Sequence, residues 1–163
     1  MELKKFTRLS MLLALSVVLN IAENMIPLFN GSLPGVKLGL ANIVILFILY
    51  EYGFKSAIFV SITRVFLVSV LYTGLFSVAF FLSLAGALLS IIVMGLFKKY
   101  TKLSIVGISI LGSLFHSLGQ IAVVGYIIGS ISAFNYLPLV IPFAIPTGIL
   151  TGILSKELIK YFE

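Results

Sequence analysis

The chain has 163 residues, 61% hydrophobic and 10% charged, with a mean hydropathy of +1.24; water-soluble domains are about half apolar and a quarter charged, so this is not one of them. It contains no Cys, Trp or Asp, which excludes disulfides, thiolate metal sites, thiol nucleophiles and Asp-rich Mg²⁺ sites, and its lone His cannot build a zinc site alone. The net charge of +6 sits in short Lys/Arg clusters between apolar runs, the pattern of membrane topology and not of a nucleic-acid-binding stripe. These counts define a small all-α integral membrane protein in one domain, residues 1–163, with no cofactor, metal or nucleic-acid partner expected.

Six apolar runs read as spanning helices, over about residues 7–27, 38–52, 54–72, 76–97, 104–129 and 137–161. With six spans and a cytoplasmic N-terminus, both termini lie inside, and nine of the eleven basic residues fall on the cytoplasmic side. Lys37 is left in an outer loop and Arg64 within the third helix. The basic start, Lys4-Lys5-Phe6-Thr7-Arg8, also suits a signal peptide. However, the small residues of a cleavage site do not follow it, and the first run is read as a retained span. At about 15 residues the second run is short, near 22 Å against a hydrocarbon core of about 30 Å. The apolar, Gly- and Pro-bearing segment before it, residues 28–37, is expected either to fold down over the bundle as a lid or to lie at the interface.

Ionisable groups inside a membrane are costly and point to function by default. Here they gather from mid-depth to the outer side: Asn20, Glu23 and Asn24 on the first helix, Asn42 on the second, Arg64 on the third, and His116 with Gln120 one turn further along the fifth. Nothing comparable is expected in the inner half, so the pattern describes an outward-facing pocket and not a pore. Glu23, Asn24, Lys37, Asn42, Arg64, His116 and Gln120 are the candidate substrate-binding residues. Arg64, Lys37 and His116 favour an anionic ligand group, and Glu23 would orient Arg64 or accept from a ligand hydroxyl or amine. The competing reading is structural: Arg64 paired with Glu23, and the amides and His116 bonding between helices.

Small residues four apart, Gly86 with Ser90, Gly125 with Gly129 and Gly148 with Gly152, predict close helix contacts. On the sixth helix Thr147 and Thr151 add a polar ridge, Pro142 and Pro146 are expected to interrupt the hydrogen-bond ladder, and on the first helix Ser10 with Ala14 forms a small-residue patch suited to a partner helix. No P-loop is present and the lone His lacks recognisable Ser or Asp partners, so the chain is not expected to be an enzyme on its own.

The segments Pro34-Gly35-Val36-Lys37-Leu38-Gly39-Leu40-Ala41-Asn42, Ser83-Leu84-Ala85-Gly86-Ala87-Leu88-Leu89-Ser90 and His116-Ser117-Leu118-Gly119-Gln120 resemble the signature of the bacterial Gx transporter family. That family is also called heptaprenyl diphosphate synthase component I, and the resemblance covers essentially the whole chain. It is similar to the S components of energy-coupling-factor (ECF) importers. The resemblance implies an S-component-like six-helix bundle in the bacterial cytoplasmic membrane that captures a small molecule from outside. It also implies a partnership with a coupling subunit and its ATPases. The residues around Pro34 to Asn42 would form the lid, and Ser10 with Ala14, where S components carry paired alanines, the docking patch. The older name implies an accessory role in isoprenoid or quinone synthesis.

Overall fold

The computed structural model describes residues 2–25 and 39–162. They form six α-helices and no strand: α1 Glu2–Met25, α2 Leu40–Glu51, α3 Phe54–Val68, α4 Val78–Tyr100, α5 Ile105–Ile128 and α6 Leu137–Phe162. A π-helical turn, Ser69–Thr73, extends α3, and a 3₁₀ segment, Ile131–Tyr136, leads into α6. The all-α class follows the sequence reading, with helix ends displaced by a few residues, most at α1, which begins at Glu2.

Five helices are long and apolar enough to cross a membrane. The exception is α2: its 12 residues rise only about 18 Å. It is nonetheless the centre of the molecule. Residues 44–49 are all buried, so the helix is apolar on every side because every side is covered. Around it pack Ala57 and Val60 of α3, Ile91 and Met94 of α4, Ile108 of α5 and Ile159 of α6.

The depth of α2 creates the site. The Ser155 hydroxyl donates to the Ile43 carbonyl at 3.1 Å, and the Phe162 and Phe47 rings lie 5.3 Å apart, so α2 runs parallel to the last half of α6. Gly39, just before α2, faces Thr151, which is past the middle of α6. The half of the bundle toward Met25 is therefore left unfilled by α2.

Elsewhere the helices close tightly on glycine. A Cβ on Gly119 of α5 would stand 2.7 Å from the Ala85 carbonyl oxygen of α4, and one on Gly86 would stand 2.9 Å from His116 Nε2. On α6, Cβ atoms at Gly148 and Gly152 would come within 2.6 Å of Ile110 Cα and 2.7 Å of Val106 Cα. These contacts confirm two of the three small-residue pairs. The third is a correction: Gly129, at φ +67°, is the left-handed cap of α5 with nothing against it. Gly125 faces Ala133 of the 3₁₀ segment. The sixth helix runs through Pro142 and Pro146, although neither has an N–H to donate to its hydrogen-bond ladder. Spanning helices tolerate proline where neighbouring groups re-satisfy the freed carbonyls.

Candidate functional site

The last turns of α1 bring Asn20, Glu23 and Asn24 to one face, spaced as i, i+3 and i+4. Asn24 Nδ2 donates to Asn20 Oδ1 at 3.0 Å. Glu23 is buried, and its Oε1 accepts the backbone N–H of Gly39. Gly39 holds φ +74° and has no side chain to cap α2. The carboxylate of Glu23 therefore takes the N-cap N–H, as the acid of a capping box does, at the end of the helix where the backbone dipole favours negative charge.

Asn42 occupies the first turn of α2, where its Oδ1 faces Arg64 Nη1 at 3.5 Å. Arg64, from the C-terminal half of α3, is 2% exposed, and its Nε has no hydrogen-bond partner among the described residues. Glu23 is the carboxylate that acts on its charge. Burying a guanidinium costs several kcal/mol unless its surroundings offset it. A partly partnered one beside a hollow marks a place where an anion is favoured.

Such a hollow is present. A cavity of about 50 Å³ lies between Asn20 and Glu23 of α1, Asn42 of α2, Arg64 of α3, Ser83 of α4, His116 of α5 and Thr147 of α6. A second, of about 250 Å³, shares Ser83 and Ser117 with the first and adds Asn24, Gln120 and the apolar side chains of Leu82, Ile121, Val124 and Val140. Gln120 is 6% exposed, and its Oε1 has no hydrogen-bond partner among the described residues.

Glu23, Asn42, Arg64 and His116 thus meet in the smaller chamber and Asn24 and Gln120 in the adjoining one. Lys37 and the whole expected lid, residues 28–37, lie outside the described residues. Ser10 and Ala14 are exposed on α1, away from the cavity. Sequence reasoning did not place Ser83, Ser113 or Ser117 in the pocket and read Thr147 only as part of a polar ridge, although all four line the chambers. The signal for two was available: Ser113, His116, Ser117 and Gln120 recur at i, i+3, i+4 and i+7 on one helix face. Ser83 carries no such mark, since serines are scattered through these helices.

The opposite end of the bundle is less bare than the sequence suggested. A groove of about 570 Å³ runs there past Leu49, Phe54, Lys55, Leu96, Lys99 and Tyr100. Lys98, beside it, donates from Nζ to the Leu49 carbonyl at 2.7 Å and lies 4.3 Å from the centre of the Tyr50 ring. That end is lined from the helix termini and not by ionisable groups deep within the bundle.

Among the described residues no three His, Asp or Glu side chains gather where they could hold a metal ion. The cavity offers hydrogen bonds, one cation and one carboxylate. Fold and site define a multi-pass, all-helical membrane protein with a polar cavity in one half of its bundle. Residues 12–158 match the model of the family described as heptaprenyl diphosphate synthase component I, and the chain belongs to that family. No curated protein and no solved structure matches it.

Proposed function

We propose that this chain is a substrate-binding membrane subunit, similar to the S component of an ECF importer, which captures a small anionic micronutrient or cofactor precursor. Both termini are placed in the cytoplasm, the cavity opens outward, and the chain performs no chemistry of its own. The observation that carries this reading is Arg64, a buried cation on the wall of a cavity that half-length α2 leaves open. A coupling subunit and its ATPases would supply the energy, with the exposed face of α1 around Ser10 and Ala14 as the contact.

A second reading is favoured by the family's description: a non-catalytic membrane subunit that assists a prenyl diphosphate synthase. Affinity purification from a native membrane separates the two. Co-purification with a membrane coupling protein and two ATPases supports the importer, and co-purification with a soluble prenyltransferase supports the accessory subunit. A thermal-shift screen against vitamins, flavins, quinone precursors and prenyl phosphates tests the cavity itself. A ligand present at 100 times its Kd stabilises the fold by about 2.7 kcal/mol, and Arg64→Ala should remove that shift. Retention of the full shift by Arg64→Ala would place binding elsewhere and overturn the proposal.

A further inference from the structure

The two chambers differ in size, polarity and charge, and together they specify a ligand more narrowly than "small and anionic". The smaller chamber holds about 50 Å³ and is walled largely by polar side chains. Its formal charges, among the described residues, are one cation, Arg64, and one carboxylate, Glu23. They cancel. A diphosphate, bringing two or more negative charges, would meet a single guanidinium with a buried carboxylate alongside it, and like charges at close range in a low-dielectric site repel strongly. A single carboxylate adds only one negative charge and suits the planar fork of Arg64, whose Nε has no hydrogen-bond partner among the described residues.

The larger chamber holds about 250 Å³. An apolar cavity of about 150 Å³ holds a benzene molecule, so this one has room for a body of one to two rings. Its walls are largely aliphatic, yet Gln120 stands among them with a buried Oε1 that has no hydrogen-bond partner among the described residues. An acceptor left unsatisfied costs about 1–3 kcal/mol, and a ligand N–H or O–H would remove that cost. Ser83 and Ser117 belong to both walls, so one molecule can span the pair.

We infer that the cavity binds a monocarboxylate whose one- or two-ring apolar body carries an N–H or O–H donor facing Gln120, and that it excludes diphosphates. This deepens the receptor reading above and rests on it.

The test uses the purified full-length chain in detergent, with thermal shift and calorimetry against a matched panel. The panel comprises indole-3-propionate, its methyl ester, the donor-free 1-naphthylpropionate and geranyl diphosphate. Indole-3-propionate should bind. The methyl ester and the diphosphate should bind at least tenfold more weakly, and the naphthyl compound about tenfold more weakly. Gln120→Leu should erase the difference between the indole and naphthyl compounds. Should that variant fail to fold, the wild-type comparison of the two compounds still decides the role of the donor. Tighter binding of geranyl diphosphate, lost in Arg64→Met, would keep the receptor and overturn the carboxylate assignment. Equal affinity of the indole and naphthyl compounds for the wild type would overturn the role given to Gln120. Failure of every probe to bind, with no small molecule detected by mass spectrometry of the denatured protein, would overturn the inference and the receptor reading together.

Discussion

The Nη1 of Arg64 stands 3.5 Å from the Oδ1 of Asn42, fixing the guanidinium of α3 against the first turn of α2. The Glu23 carboxylate acts on the same charge, so the three residues should behave as one unit. Removing one member of a buried charged set costs about 3–5 kcal/mol because the others lose their compensation. Arg64→Met should therefore lower the melting temperature in detergent even though Met fills most of the volume. The double variant Glu23→Gln/Arg64→Met should recover part of the loss. A double-mutant cycle measures this directly: a coupling of about 0.5–3 kcal/mol is expected for groups in contact, and strict additivity would mean that the two charges do not communicate.

Glu23 has a second, separable role as the cap of α2. Gly39 has no side chain to offer, and the hydrogen bond from its N–H to Glu23 Oε1 stands in for one. Glu23→Ala removes the acceptor as well as the charge, so it should cost about 1 kcal/mol more than Glu23→Gln, as the loss of an N-cap does, and should speed amide exchange in the first turn of α2. Glu23→Gln retains an acceptor and should leave that exchange nearly unchanged. Equal exchange in both variants would mean that the cap is not what orders this turn.

The helices were legible in the sequence because apolar runs of this length have few other meanings, and Glu23, Asn42, Arg64 and His116 were legible because ionisable and amide groups are rare inside such runs. The depth of α2 was not. It depends on the Ser155 hydroxyl meeting the Ile43 carbonyl, a contact between residues over a hundred positions apart that no local pattern encodes. Gly129 illustrates the opposite failure. Its spacing from Gly125 imitates a helix-contact motif, while its positive φ makes it a helix terminus, and spacing alone does not distinguish a glycine that meets a neighbour from one that ends a helix. The division into two chambers was hidden for a similar reason: His116 and Gln120 share a helix face, yet Ser83 and Ser117 stand on the walls of both chambers.

The α4–α5 interface predicts a sharp contrast between two glycines of one helix. At Gly119 a Cβ would stand 2.7 Å from the Ala85 backbone oxygen, whereas at Gly125 the nearest atom is 3.5 Å away, an ordinary contact. Backbone cannot rotate aside as a side chain can, so Gly119→Ala must push the two helices apart. A loss of about 1–3 kcal/mol is expected, the range for overpacking. Gly125→Ala should be neutral, or slightly stabilising through helix propensity. Equal melting temperatures for the two variants would show that α4 and α5 do not pack this closely in the membrane.

Lys98 supplies the last prediction, at the end of the bundle away from the cavity. Its ammonium group donates to the carbonyl of Leu49 at 2.7 Å and rests 4.3 Å from the centre of the Tyr50 ring. It thereby satisfies an orphan carbonyl in the last turn of α2 and places positive charge where the helix dipole is negative. Lys98→Met keeps the apolar stem but removes the donor and the charge, and should cost about 1 kcal/mol, the sum of a helix-end charge and a cation–π contact of ordinary strength. Tyr50→Leu removes only the ring and should cost roughly half as much. Because α2 is the core around which the other helices pack, the loss should appear as a lower melting temperature of the whole bundle. If Lys98→Met instead frays only the last turn of α2, seen as faster amide exchange there with the global transition unchanged, then α2 is held by its buried side chains alone and Lys98 contributes nothing to its seating.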